Sequence, residues 1–349
     1  MDFTVSFLSA AVLSSTGSIK VASFTIIGHS FAMPLTGSIN KLLRFFVLLS
    51  LVFVSHLFLP LSSSAESAPT LKQLKNASYS GIEGLKGPVK LINGRWRGRP
   101  YKKGSPSRPA VTFVDDLRIT GDLDGDSTDD AVVLLNYAPG GTGQLLHLAV
   151  VARRKGKMQN IATRLIGDRV QIRDARIEQK RILLDVVLAG PTDAMCCPGE
   201  VTTLGWTLEP GGKLSRFIVS AKPERLTLET IGDTEWVLRS WGSNEPAPKQ
   251  PSVTLIFKDG RFTGISGCNN YFASAKDGKI PGDVEMGPAG TTRKACPDSA
   301  MSVEKRFLDQ LVRVKKFGFL ATQLALTWEK EGVWKTMLFD KRQSHPANK

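Results

Sequence analysis

The segment SVTLIFKDGRFTGISGCNNY, from Ser252 to Tyr271, gives the clearest indication of the architecture of the C-terminal part of the chain. Two strand-length runs, Ser252–Phe257 and Arg261–Ile265, flank a turn of lysine, aspartate and glycine at positions 258–260. A short turn that ends in Asp-Gly between two such runs is typical of a β-hairpin. The segment therefore predicts antiparallel sheet in this region.

Elements on both sides of this hairpin extend the sheet and add one helix. A strand is predicted over Glu235–Trp241, and a closing hairpin is predicted from Leu324–Glu329 and Val333–Phe339. Between them, apolar residues recur at helical spacing from about Ser299 to Val314. This spacing predicts an amphipathic helix whose apolar stripe lies in the core and consists of Val303, Phe307, Leu311 and Val314.

The segments Gly260–Tyr271 and Thr291–Pro297, in this order with the strand and the helix, resemble the META domain, also called HslJ-like. The resemblance covers about Thr230–Arg342 and implies a sheet packed on one α-helix. It also implies a disulfide between Cys268 and Cys296; a free nucleophilic thiol is the alternative. Members of this family are mostly bacterial envelope proteins linked to heat shock, novobiocin tolerance or virulence, with no established enzymatic activity.

The preceding part of the chain also consists of short predicted strands between turns. Ala131–Tyr137 and Leu145–Val151 are apolar runs joined by a glycine-rich connection, which favours a hairpin over a phosphate-binding loop. We therefore expect an α+β fold that is predominantly antiparallel β. Its two β-rich domains are residues 66–225 and residues 226–349.

An acidic loop precedes the first of these apolar runs. Aspartates stand at positions 1, 3, 5 and 9 of this loop, namely Asp122, Asp124, Asp126 and Asp130. Short acidic side chains on one turn suit calcium, which takes about six to eight oxygen ligands. The pattern resembles the calcium loop of FG-GAP repeats, so Ca²⁺ is the candidate cofactor. Ser127 replaces the usual glycine, and Val133 stands where an EF-hand has glutamate, which excludes an EF-hand. The alternative is an aspartate-rich turn that accepts backbone hydrogen bonds.

A second pair of cysteines, Cys196 and Cys197, is adjacent in sequence. Neighbouring Cα atoms lie about 3.8 Å apart, below the usual disulfide range of about 4.4–6.8 Å. A bridge between these two residues would be strained and readily reduced, which makes them a candidate redox pair. Four cysteines allow three pairings, and the sequence alone does not choose among them.

The start of the chain has the pattern of a secretory signal. Lys41 and Arg44 precede the apolar run Phe45–Leu59, and small residues follow up to Ala65. We expect residues 1–65 to be a signal peptide region, with the true start at Met33, and the mature protein to be periplasmic or secreted. A retained membrane anchor is the alternative, although the run is short against the roughly 20 residues of a membrane span. No cysteine lies near the expected cleavage site, so lipid attachment is not expected there.

Charge and composition limit the classes of partner and of catalytic site that are expected for this chain. The chain of 349 residues has a formal net charge of +14, and its densest basic stretch runs from Arg95 to Arg108. In an exported protein this stretch favours an envelope protein or an anionic envelope surface as partner, and nucleic acid is not expected. Only four histidines are present, and two of them, His29 and His56, precede Ala65, so histidine-dependent triads and multi-histidine zinc sites lack their usual parts.

The resemblance to the META domain, together with the predicted export, implies a non-enzymatic envelope protein with a structural or interaction role in envelope stress tolerance. The first alternative is a calcium-dependent adhesion or ligand-binding module that uses the acidic loop. The second alternative is a hydrolase that uses paired carboxylates, although no spacing in the sequence singles out such a pair.

Overall fold

The computed structural model describes residues 68–342, except positions 195, 220, 221, 233 and 243. The predicted signal peptide region, residues 1–65, with Met33 and the cleavage site after Ala65, lies outside the described residues. None of the helices in the described part combines the length and the apolar composition of a membrane span.

The first sheet is built from five antiparallel strands in sequence order. They are β3 (Arg95–Arg97), β4 (Ala110–Gly121), β5 (Asp130–Ala138), β6 (Leu145–Arg154) and β7 (Lys157–Asp168). A short N-terminal layer covers one face of this sheet with helix α1 (Leu71–Leu74) and strands β1 (Ser78–Tyr79) and β2 (Val89–Lys90). Because β5 is covered on both faces, its residues form a nearly continuous apolar run instead of an alternating one.

The second sheet covers the other face of the first. Its strands are β8 (Gln171–Glu178), β9 (Arg181–Leu188), β10 (Glu200–Glu209) and β11 (Lys213–Ile218), with the short β12 (Glu224–Arg225) paired to β10. Leu134 and Leu148 of the first sheet and Leu184 and Trp206 of the second belong to one fully or almost fully buried core. This half of the described chain is therefore two packed antiparallel sheets.

The third sheet contains nine strands and lies entirely after residue 235. They are β13 (Trp236–Gly242), β14 (Glu245–Pro246), β15 (Thr254–Lys258), β16 (Arg261–Ile265), β17 (Asn270–Asp277), β18 (Val284–Thr291), β19 (Val314–Leu320), β20 (Gln323–Lys330) and β21 (Val333–Lys341). The order is β18-β17-β16-β15-β13-β21-β20-β19, with β14 paired to β13. The prediction of a mainly antiparallel β fold with few helices is confirmed.

Helix α2 (Asp298–Leu311) supplies the apolar stripe that packs on this sheet. The Phe307 ring makes edge contacts with Tyr271 at 5.1 Å and with Phe339 at 6.5 Å between ring centres. Val314 was predicted to be the last residue of the helix; it is the first residue of β19 instead, because the helix ends at Leu311.

Direct hydrogen bonds join the two halves of the described chain. The turn between β19 and β20 contacts β8, where the Thr322 amide donates to the Ile172 carbonyl at 2.9 Å. The Phe319 amide donates to Gln171 Oε1 at 2.8 Å, and Arg173 Nη2 donates to the Thr230 carbonyl at 2.6 Å. None of the sheets in the described residues combines strands from both sides of the predicted boundary between residues 225 and 226.

Candidate metal site

The acidic loop is the connection of the β4–β5 hairpin, which closes on the pair Gly121 and Asp130. The chain reverses here through two left-handed residues, Gly125 with φ 89° and Ser127 with φ 66°. Ser127 thus adopts a left-handed conformation that glycine adopts more easily. This is the position at which the FG-GAP pattern usually has glycine. The reversal brings one carboxylate oxygen from each of Asp122, Asp124 and Asp130 within 4.8 Å of one another.

Backbone amides of the loop hold three of the aspartates in place. Asp122 Oδ1 accepts from the Gly125 amide at 2.6 Å, and Asp124 Oδ1 accepts from the Asp126 amide at 3.1 Å. Asp126 Oδ1 accepts from the Thr128 amide at 2.9 Å. These bonds form the aspartate-rich turn that the sequence analysis gave as the alternative to a calcium loop. Asp122 Oδ2 also accepts from the Ser127 amide at 3.4 Å.

Asp130 differs from the other aspartates because it is fully buried. Its Oδ2 accepts from the Leu123 amide at 3.1 Å, whereas its Oδ1 has no hydrogen-bond partner. The pKa of Asp130 is raised to about 6, chiefly by burial; the Leu123 hydrogen bond and the Arg154 charge lower it, and the negative charges of Asp124 and Asp126 raise it. A buried carboxylate oxygen without a partner is costly, so it is expected to have a ligand.

Arg154 is the positive charge closest to the aspartates of the loop. It stands at the end of β6, and its guanidinium contacts Asp124 Oδ2 and lies 3.3 Å from Asp126 Oδ2. Asp122 has a weaker ion pair with Lys180 at 3.6 Å. A pocket of about 640 Å³ opens beside these groups, between the acidic loop and the β10–β11 turn.

The residues fit a hard divalent cation. Three carboxylates converge, one of them buried with a free oxygen, and calcium is held by carboxylate, carbonyl and water oxygens at about 2.3–2.6 Å. Of the four predicted ligands, the structure brings Asp122, Asp124 and Asp130 together and directs Asp126 to Arg154 and Thr128. Asp129 is exposed and lies outside the cluster.

A second polar cluster lies in the third sheet, around the glycine-cysteine-asparagine motif. Glu304 of α2 is nearly buried, and its carboxylate accepts from Ser266 Oγ at 2.6 Å and from the Asn269 amide at 2.7 Å. Asn269 Nδ2 also donates to Glu304, and Asn269 Oδ1 accepts from the Lys294 amide at 2.7 Å. Burial alone would raise the pKa of Glu304, but these hydrogen bonds outweigh it and hold the pKa below its ordinary value. Ser266 and Asn269 thus attach the motif to α2 and to the segment after β18.

The glycine of the same motif is Gly267, and its backbone geometry requires glycine. Its φ is 114°, a left-handed conformation, and a Cβ there would lie 3.1 Å from Val303 and 3.3 Å from the Ala300 carbonyl. Only glycine lets the loop approach α2 this closely. The cluster is therefore a structural attachment.

Both cysteine pairs are bridged in the structure. Cys268 and Cys296 form a disulfide with their Cα atoms 6.0 Å apart, which is the pairing that the resemblance implies. Cys196 and Cys197 form a bridge between neighbours in the β9–β10 connection. Asp193 fixes this connection, because its Oδ2 accepts from the amides of Gly190 and Gly199 at 2.9 and 2.8 Å.

His147 has a structural position. It is fully buried, and its Nε2 accepts from the Glu83 amide at 3.1 Å while Nδ1 faces the Leu145 carbonyl at 3.1 Å. Burial lowers its pKa, which keeps the imidazole neutral. It therefore ties the N-terminal layer to β6.

Comparison with known proteins identifies the third sheet. Residues 227–341 match the META domain. The predicted resemblance to the META domain over about residues 230–342 is confirmed. A solved NMR structure of a protein from Burkholderia xenovorans is 24% identical over 33% of this chain and 86% of that chain, with a TM-score of 0.27. A search of the curated proteins gives no match.

Proposed function

We propose that this chain is an exported, non-enzymatic envelope protein of the HslJ-like type that binds a calcium ion at its acidic loop. The META match supports the family assignment. The signal pattern of residues 41–65 supports export, and two disulfides suit an oxidising compartment. A structural or interaction role in envelope stress tolerance follows from the resemblance.

The observation that carries the calcium proposal is the unpartnered Oδ1 of the buried Asp130. Asp122 and Asp124 place two more carboxylates beside it, and all three would hold the ion together with loop carbonyls or water. Asp126 joins them only if it leaves Arg154. A bound cation would neutralise the repulsion that now raises the pKa of Asp130.

Calcium-dependent ligand binding is the second candidate, favoured by the pocket beside the loop. Asp124, Asp126 and Arg154 line this pocket as well as forming the loop's ion pairs. A cation that takes the carboxylates would free the Arg154 guanidinium to bind an anionic group in the pocket. The hydrolase alternative is less supported, because Asp124 and Asp126, the carboxylates that face this pocket from the loop, both pair with Arg154.

Calcium titration by calorimetry, on the processed protein, tests the calcium proposal. We expect one site in the wild type, and we expect Asp124→Asn to lose it, since it removes charge from one of the three converging carboxylates. Asp129→Asn is the matched control: it removes the same charge from a neighbouring exposed aspartate and should bind as the wild type does. No heat of binding in the wild type, or equal loss in both variants, would show that the loop is only a turn.

Export is tested separately by N-terminal sequencing of protein recovered from the envelope or medium. The sequence should begin at Glu66. An intact chain in the cytosol that starts before Lys41 would contradict export and leave the calcium result unaffected.

A further inference from the structure

One hairpin in the described part of the chain has a strong positive charge that no acidic residue of the same segment compensates. Residues 84–114 contain no acidic residue and eight basic ones, namely Lys86, Lys90, Arg95, Arg97, Arg99, Lys102, Lys103 and Arg108. Six of the eight lie in residues 95–110, which we call the basic hairpin. The chain as a whole has a net charge of +14, so much of its excess is concentrated here.

The basic hairpin is an ordered extension of the first sheet. It begins with the pairing of β3 and β4, in which Arg95 opposes Thr112. It continues beyond the strands, because the Gly98 amide donates to the Pro109 carbonyl at 2.8 Å and the Tyr101 amide donates to the Ser107 carbonyl at 3.2 Å. These hydrogen bonds between the two arms form a hairpin whose far end contains Lys102 and Lys103.

Contacts with the β5–β6 connection fix the far end of the basic hairpin. The Tyr101 hydroxyl donates to the Pro139 carbonyl, and Ser107 Oγ donates to the Gly140 carbonyl at 2.7 Å. Gly140 has φ 104°, and a Cβ there would lie 2.7 Å from the Tyr101 ring, so glycine permits this contact. These contacts fix the backbone of the hairpin before a partner binds, which lowers the entropy cost of binding.

The basic side chains of this hairpin are available to a partner. Arg95, Arg97, Arg99, Lys102 and Lys103 are exposed. Across the described residues, none of the six basic side chains of the hairpin has a carboxylate within ion-pair distance. Elsewhere in the same part of the chain, by contrast, arginine and lysine are repeatedly paired with aspartate or glutamate, as Lys75 is with Asp115 at 2.9 Å. Such a surface is electrostatically complementary to a polyanion.

The aromatic residues of the hairpin favour a headgroup surface over nucleic acid. Sequence-tolerant binding of single strands uses exposed aromatic faces on which bases stack. Trp96 is half-buried, and its ring lies so close to Gly98 that a Cβ there would be 2.9 Å from it. Tyr101 is 61% exposed and Ile92, beside Arg95, is 69% exposed. One amphipathic ring and one aliphatic side chain next to basic residues suit the interface of a bilayer.

We infer that the basic hairpin is a docking surface for the anionic headgroups of a lipid bilayer. The inference deepens the proposed envelope role and rests on it for its biological setting. Each lysine or arginine held near an anionic leaflet raises partitioning about fivefold at moderate salt. Several such residues therefore give appreciable association without any membrane span.

Co-sedimentation with vesicles tests this inference. The processed protein is mixed with vesicles of phosphatidylcholine alone or with about one-third phosphatidylglycerol, at low and high salt. We expect binding to the phosphatidylglycerol vesicles only, weakened by salt. The hairpin variant replaces Arg97, Arg99, Lys102 and Lys103 with glutamine. It should lose binding by at least a hundredfold, since about fivefold per charge multiplies over four charges.

The matched control variant replaces four exposed basic residues outside the hairpin with glutamine, namely Lys249, Arg261, Lys279 and Arg293. It has the same net charge as the hairpin variant and should bind nearly as the wild type does. Equal loss in the two variants would overturn the inference, because binding would then depend on net charge alone. Absence of wild-type binding to anionic vesicles, or hairpin-dependent binding to a single-stranded oligonucleotide in place of vesicles, would also overturn it.

This experiment separates the inference from the proposed function. The two variants share everything outside the replaced positions, so residues before Glu66 contribute equally to both. Calcium titration and N-terminal sequencing can fail while the vesicle difference persists, and the reverse also holds.

Discussion

Replacing Glu304 with glutamine tests whether the attachment of the glycine-cysteine-asparagine motif stabilises the META domain. The carboxylate accepts three hydrogen bonds, from Ser266 Oγ at 2.6 Å and from the amide and Nδ2 of Asn269 at 2.7 and 3.1 Å. Hydrogen bonds to a charged group contribute about 1.5–3 kcal/mol each, against about 1 kcal/mol for neutral ones. Glutamine makes two of these bonds neutral and directs an NH₂ group at a donor. We expect a loss of about 3 kcal/mol in the free energy of unfolding.

The pH dependence gives this prediction a second test. The pKa of Glu304 is lowered in the folded protein, so the ionised carboxylate stabilises the fold above the ordinary pKa of 4.5. This stabilisation is lost as the pH falls through the folded pKa, because the unfolded state then binds the proton at a higher pH than the folded state does. The difference between wild type and Glu304→Gln should therefore be full at pH 7 and shrink below pH 4.5.

Urea unfolding followed by tryptophan fluorescence measures both quantities. Asp309→Asn is the control, because Asp309 lies on the same helix but is exposed and paired with Arg313 at 3.0 Å. An exposed pair of this kind contributes at most about 0.5 kcal/mol. The reasoning is refuted if Glu304→Gln costs no more than Asp309→Asn, or if its cost is the same at pH 7 and pH 4.

Two further predictions concern the acidic loop and the disulfide. In chelator, Asp130→Asn should raise the free energy of unfolding at pH 7 by up to about 3 kcal/mol, since a pKa raised from 3.8 to about 6 penalises the ionised folded state above pH 6 and not below pH 4. Saturating calcium should stabilise the wild type alone, and a variant that is less stable than wild type in chelator would contradict the assigned penalty. Replacing Cys268 and Cys296 together with serine should cost about 3–4 kcal/mol in urea, because the bridge closes a loop between residues 28 positions apart; an unchanged midpoint would contradict a bridge in the mature protein.

Turn residues and the spacing of apolar residues predicted much of the fold of the META domain. The strand Arg261–Ile265 was predicted with its observed bounds, since Asp259 and Gly260 mark the turn before it. Strands β17 and β18 were missed. Along β17 buried and exposed residues alternate, but two of the buried ones are Ala273 and Ala275, whose small side chains give a weak strand signal. The period of two around Tyr271 was the signal available.

The acidic loop shows where sequence reasoning stops. Spacing within the loop predicted Asp122, Asp124, Asp126 and Asp130 as ligands. The hairpin connection brings Asp122, Asp124 and Asp130 together, whereas Asp126 contacts Arg154 and Thr128. Arg154 was not predicted, since its approach depends on the register of β5 and β6, in which Ala131 opposes Val151. That register sets Arg154, three positions beyond Val151, beside the loop and against Asp124 and Asp126.

Arg154 also changes what a calcium affinity would measure. Its guanidinium already supplies positive charge to two of the loop's carboxylates, so a cation must displace it from Asp124 Oδ2 before it can use that oxygen. The measured free energy of calcium binding would then be a difference between two interactions of the same carboxylates, one with calcium and one with the Arg154 guanidinium. Replacing Arg154 would remove the competitor of calcium, but it would also remove a positive charge that lowers the pKa of Asp130. If the loop binds calcium as proposed, calcium binding and proton binding at Asp130 are coupled through one arginine that lies outside the loop.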